Sequence, residues 1–152
     1  MTNRTVPETL VVVFVVGVGV NFAWEVTQSV LFAPMGGWVS GVWRCFTASL
    51  GDGVIILTIA AIGWLWFQRA DWIVRPGLGG YALTTTLGVA IVVLIERHAL
   101  ATGRWAYTER MPVLPGVHVG VVPVLQMVIM PPVAFLVAVR FLKRKHGEVI
   151  AQ

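Results

Sequence analysis

Residues 10–32 read LVVVFVVGVGVNFAWEVTQSVLF, an apolar run with Asn21, Trp24, Glu25 and Gln28 standing near its end. Crossing the hydrocarbon core of a bilayer takes about 20 such residues as a helix. On a helix the spacing i, i+3, i+4, i+7 puts these four side chains on one face. A carboxylate at the centre of a span costs roughly 2.5–3.5 kcal/mol, so polar groups there turn toward protein or a water-filled cavity. This stretch therefore predicts both a membrane span and a packed, polar side to it.

Three further runs are long enough to span, over residues 45–67, 78–95 and 117–139. Pro34 and Gly36-Gly37 stop the first run, and Gln68, Arg69 and Asp71 close the second. Pro76-Gly77 precede the third and Glu96-Arg97-His98 follow it. Open strands leave backbone groups unsatisfied in lipid, so helices are expected throughout. The 152-residue chain is 57% hydrophobic and 12% charged, whereas soluble domains carry about 25% charged residues. The expected fold is all-α: a polytopic integral membrane protein forming a four-helix transmembrane bundle with short loops. It occupies a single domain over residues 1–152, with an outer loop at 96–116 and a basic cytoplasmic tail at 140–152.

The net charge of +4 comes mostly from Arg140, Lys143, Arg144 and Lys145 beside the last run. In that place it reads as an anionic-lipid or topology signal, not as a nucleic-acid surface. With both termini on one side, that side collects Arg4, Arg69, Arg75 and the basic tail, against Arg44, Arg97, Arg104 and Arg110 opposite. The bias places both termini in the cytoplasm and the protein in the cell's inner (plasma) membrane. Trp38, Trp43 and Trp105 on the outer side, and Trp64, Trp66 and Trp72 on the inner, suit two interfacial belts. Arg4 before an apolar core also fits a cleaved signal peptide, but Asn21-Phe22-Ala23 lacks the small residue expected before the cleavage site. The single cysteine, Cys45, excludes an internal disulfide.

Polar groups from different spans fall in one leaflet. Counted at 1.5 Å per residue, Glu25 lies about 12 Å below the outer end of its run, Asp52 about as deep from Arg44, and Gln126 about 13 Å from Val117. Glu96 closes the third run at the outer boundary. Glu25 and Asp52 are the candidate catalytic pair, because two carboxylates in low dielectric share a proton or recruit a cation such as Arg44, Arg97 or Arg104. Asn21, Trp24, Gln28 and Gln126 are candidate substrate-binding residues beside them, and an interhelical hydrogen-bond network is the alternative. Pro123 and Pro131-Pro132 each remove a backbone donor, which predicts a broken fourth helix. Gly79, Gly80 and Gly88, with Thr84, Thr85 and Thr86, read as a close-packing face. The loop from Glu96 to Gly116 is long enough to fold over the site, with Arg104, Trp105 and Tyr107 as candidate substrate contacts. The spacing of His98, Glu109 and His118 matches no ligand pattern, so no metal and no cofactor are expected.

Gly103-Arg104-Trp105-Ala106-Tyr107, followed by Gly116, Gly120, Pro123 and Gln126, resembles the Gly-x-Trp-x-Tyr…Gly…Pro-x-Glu-Glu pattern of membrane lycopene cyclase domains. Asn21-x-x-Trp24-Glu25 is similar to the Asn-x-x-Trp-Glu opening of membrane-bound terpene cyclases. The resemblance implies a cofactor-independent enzyme in which Glu25 protonates an isoprenoid. Leu125 and Gln126 depart from the glutamate pair of the first pattern, and neither carries a carboxylic proton.

The leading expectation is a membrane enzyme of isoprenoid or other lipid substrates, with Trp24, Trp105 and Tyr107 steadying a carbocation through their ring faces. The alternative is a non-catalytic subunit or scaffold whose stripe docks a partner helix or a second copy. A proton or solute pathway is the third, weakened by the lack of polar residues in the inner halves of the spans.

Overall fold

The computed structural model describes residues 5–34, 36–69 and 72–150. Arg4, Asp71 and the side chain of Lys145, used above for topology and boundaries, lie outside the described residues, as does the end of the tail. Among the described residues, four helices are long and apolar enough to cross a membrane: α1 (Thr5–Gln28), α2 (Trp38–Phe67), α3 (Gly77–Ala101) and α4 (Val121–Ile150). This is the expected all-α transmembrane bundle. Valine-rich segments such as α1 are mediocre helix formers in water, but in lipid the helix is what satisfies every backbone group.

Each helix packs through a stripe of buried residues about four apart. In α1 the stripe is Thr9, Val13, Gly17 and Asn21, reaching Gln28 two turns later. In α3 it is Gly80, Thr84, Gly88, Val92 and Glu96. The opposite faces carry Val11, Val15, Leu65 and Leu94, all more than 60% exposed, as lipid-facing surfaces require. Neighbouring helices approach closely at glycines. A Cβ on Gly53 would stand 2.7 Å from Val18 Cγ2 and 2.9 Å from Phe14 Cε2, so α1 lies directly on α2 there.

The bundle has two zones. Toward the chain termini the core is apolar: Val13, Ile56, Ile59, Ala134, Phe135 and Ala138 surround Trp72. Trp72 corrects the expectation of an interfacial belt residue. It is 1% exposed, fills the space over Gly63, and its Nε1 donates to Ala60 O at 3.0 Å. Toward the other end lie the polar residues, on the side of the α3–α4 connection.

The bounds of all four helices differ from the expected runs, with α1 at Thr5–Gln28 and α4 starting at Val121. α2 begins at Trp38 and α3 runs on to Ala101, so Glu96 lies inside its helix instead of closing it. α4 is one helix from Val121 to Ile150, continuous through Pro131 and Pro132 and well into the basic tail. The predicted break is absent because Pro123 occupies the first turn, where no intrahelical donor is needed. Pro131 leaves the Met127 carbonyl without its helical donor. There α3 closes in: a Cβ on Gly88 would stand 2.7 Å from Met127 O, so only a glycine admits that oxygen.

Candidate functional site

Gln126, one turn into α4, is the hub of the polar zone and is 3% exposed. Its Nε2 lies 2.8 Å from Asp52 Oδ2 on α2. On α1 it lies 2.9 Å from Asn21 Oδ1 and 3.1 Å from Glu25 Oε1. Its own oxygen accepts from Gln28 Nε2 at 2.9 Å. Gln28 Nε2 also donates to Glu25 Oε1 at 2.7 Å, and Trp24 Nε1 donates to Gln28 Oε1 at 3.1 Å. Asn21 Nδ2 completes the series by donating to Gly17 O at 2.8 Å.

Counting protons fixes the arrangement. An amide NH2 has two hydrogens, and Gln126 faces three acceptors. Its two shorter contacts serve Asn21 and Asp52, while Gln28 serves Glu25. With the carboxyl groups ionised the amide orientations follow, since turning Gln126 over would put its oxygen against both of them. Among the described residues, no buried side-chain nitrogen or oxygen lacks a partner.

Six residues singled out in the sequence thus meet: Asn21, Trp24, Glu25, Gln28, Asp52 and Gln126. They meet at one depth, as expected, but lie at different distances from the ends of their own helices. Measured from the observed helix ends, Asp52 is about 21 Å into α2, Gln126 about 7.5 Å into α4, and Glu25 about 4.5 Å from the end of α1. α2 starts beyond its neighbours, which absorbs the difference.

A second polar group sits on α3. Glu96, 5% exposed, accepts from Trp105 Nε1 at 3.2 Å and from the Tyr107 hydroxyl. Tyr107 in turn accepts from the Gly120 backbone N–H at 3.0 Å. Burial, then the hydrogen bond to Glu96, raises the Tyr107 phenol above its ordinary value. The connection is also tied to α1: Ala33 N donates to Ala106 O at 2.9 Å and Thr108 N to Leu31 O at 2.9 Å. A short hairpin, β1 (Val113–Leu114) with β2 (Val119–Gly120), turns the chain into α4.

Glu96 is the residue that sequence reasoning left out of the site. Its signal was present, because Gly80, Thr84, Gly88, Val92 and Glu96 repeat every four positions and so share the packed face.

Arg104 does not join the network. Its side chain is exposed, and its guanidinium carbon stands 5.8 Å from the centre of the Trp105 ring. Trp105 and Tyr107 both meet Phe32 edge-on. The Trp105 ring is therefore already engaged within the chain, by a cation and an aromatic edge. Among the described residues, no three His, Cys, Asp or Glu side chains come together in a group able to hold a metal ion. Comparison with protein families, with curated proteins and with solved structures finds no match for the chain.

Proposed function

We propose that this integral membrane protein is an acid–base enzyme acting on an isoprenoid or another lipid, with Glu25 and Asp52 as its reactive groups. The observation that supports the reading is that both carboxyl groups lie within about 3.1 Å of one amide nitrogen, that of Gln126, inside an apolar bundle. Two carboxyl groups held side by side are suited to pass a proton out and take one back. Such a cycle adds a proton to an alkene and removes one from the resulting cation, leaving the substrate's mass unchanged. Gln28 holds Glu25 directly, and Asn21 holds Gln126 beside the pair. We further propose the plasma membrane as its site, with both termini in the cytoplasm.

The test is product analysis with purified protein and linear isoprenoids in lipid nanodiscs. Wild type should yield isomers of unchanged mass, and Glu25→Gln should lose about a hundredfold in rate or more at intact folded yield. Undiminished turnover in that variant ends the proposal.

A second reading draws on the complete satisfaction of the network. Polar groups that all find partners inside the chain suit a non-catalytic bundle locked by interhelical hydrogen bonds, more than a stripe held open for a partner helix. In that case Glu25→Gln lowers stability or co-purification of a partner, and no substrate turns over.

A further inference from the structure

The zone at the opposite end of the bundle contains a feature that the carboxyl site does not use. Where the α2–α3 connection meets α4, an apolar cleft of about 70 Å3 opens, lined among others by Val74, Pro76, Tyr81, Pro132, Leu136 and Val139. Its mouth faces outward from the bundle: Tyr81 is 45% and Leu136 51% exposed. Both belong to segments apolar enough to span the membrane, so lipid chains are what lie against that mouth.

Two arginines adjoin the lining in the chain. Arg75 stands between two lining residues, Val74 and Pro76, and Arg140 directly follows a third, Val139. Both arginines are exposed. Arg69 approaches the same connection, its guanidinium donating to Arg75 O at 3.0 Å. One of the two hydroxyls in the lining, that of Thr84, already donates to Gly80 O at 2.8 Å. The cleft itself is therefore mainly an apolar receptor, and the charge is carried by residues next to its lining in the chain.

We propose that this cleft and its two arginines form a binding site for one anionic phospholipid. Its phosphate pairs with Arg75 and Arg140, in the fork geometry that guanidinium groups favour. One acyl chain enters between α3 and α4 against Tyr81, Pro132 and Leu136. A zwitterionic lipid brings an ammonium group to the same two arginines and is disfavoured.

The experiment uses the full chain in nanodiscs of equal phosphatidylglycerol and phosphatidylcholine, extracted into detergent at about 0.15 M salt, where exposed charges are screened beyond about 8 Å. Native mass spectrometry then counts retained lipid. Wild type should retain phosphatidylglycerol over phosphatidylcholine, and the double variant Arg75→Gln/Arg140→Gln should reduce that preference about tenfold. The control Arg97→Gln/Arg110→Gln removes the same charge from the other end and should leave the preference unchanged. Glycerophosphoglycerol, the headgroup without chains, should fail to displace the bound lipid. Equal losses in both double variants, displacement by the free headgroup, or no preference in the wild type would each overturn the site. Because the readout is lipid retention, it is independent of whether Glu25 and Asp52 perform any chemistry.

Discussion

Gln126→Leu tests the hub by keeping the side chain's bulk and removing its amide. Asn21 Oδ1 and Asp52 Oδ2 then lose their donor, and Gln28 loses an acceptor. Orphaned buried polar groups cost about 1–3 kcal/mol, so denaturant titration in mixed micelles should show a loss in that range. Tyr107 offers a test in pH. Its unfolded phenol titrates near 10.0, and the folded one holds its proton to higher pH. The stability it contributes is therefore complete below about pH 10 and declines as pH rises further. Thermal unfolding measured between about pH 8 and about pH 11 should fall less steeply in Tyr107→Phe than in wild type. The sequence revealed Asn21, Glu25 and Gln28 through their shared helical face, and Asp52 and Gln126 as polar residues in apolar runs. Which residue would be the hub was not visible, since only the helix packing decides whose amide reaches the others.

The α3–α4 contact turns on Gly88, whose absent side chain admits the Met127 oxygen. Gly88→Ala drives a methyl into a backbone atom that has no rotamer through which to yield, and overpacking of this kind costs about 1–3 kcal/mol. Gly19→Ala is the matched control, because a Cβ there meets nothing within 4 Å. It should leave stability within about 0.5 kcal/mol of wild type or raise it slightly. Helix number and order were legible from run lengths and punctuation alone. The ends were less so: Trp38 to Arg44 and Glu96 to Ala101 contain polar or glycine residues that hydropathy discounts, yet helical bonding continues through them. Trp72 shows the same limit from another side. An aromatic residue next to a turn suits an interface, and only the gap over Gly63 reveals that it belongs inside.

At the scale of the molecule, the four candidate spans among the described residues, if each crosses once, bring the starts of α1 and α3 and the ends of α2 and α4 to one face. The exposed cations Arg75, Arg140, Lys143 and Arg144 lie toward that face, which is the face the proposed topology assigns to the cytoplasm from the positive-inside bias. A C-terminal fluorescent fusion should therefore glow in intact cells, and a C-terminal alkaline phosphatase fusion should stay inactive; the reverse pair of results would invert the topology. α2, at 30 residues, is about 45 Å long, more than the roughly 30 Å hydrocarbon thickness. It must tilt or protrude, and Trp38, 84% exposed at its start, stands where a protruding end reaches the headgroups. The same overhang brings Asp52 level with residues that are near the ends of their own helices.

The row from Trp24 through Gln28, Gln126 and Asn21 to Gly17 has a direction, each member giving a hydrogen to the next. Like compass needles laid end to end, its members cannot turn over one at a time, because a lone reversal sets oxygen against oxygen. Reversing Gln126 would also face its oxygen toward Asp52 and Glu25, which is tolerable only if both acids are protonated. The polarity of the amides and the charge of the acids are thus one variable, shared by three helices.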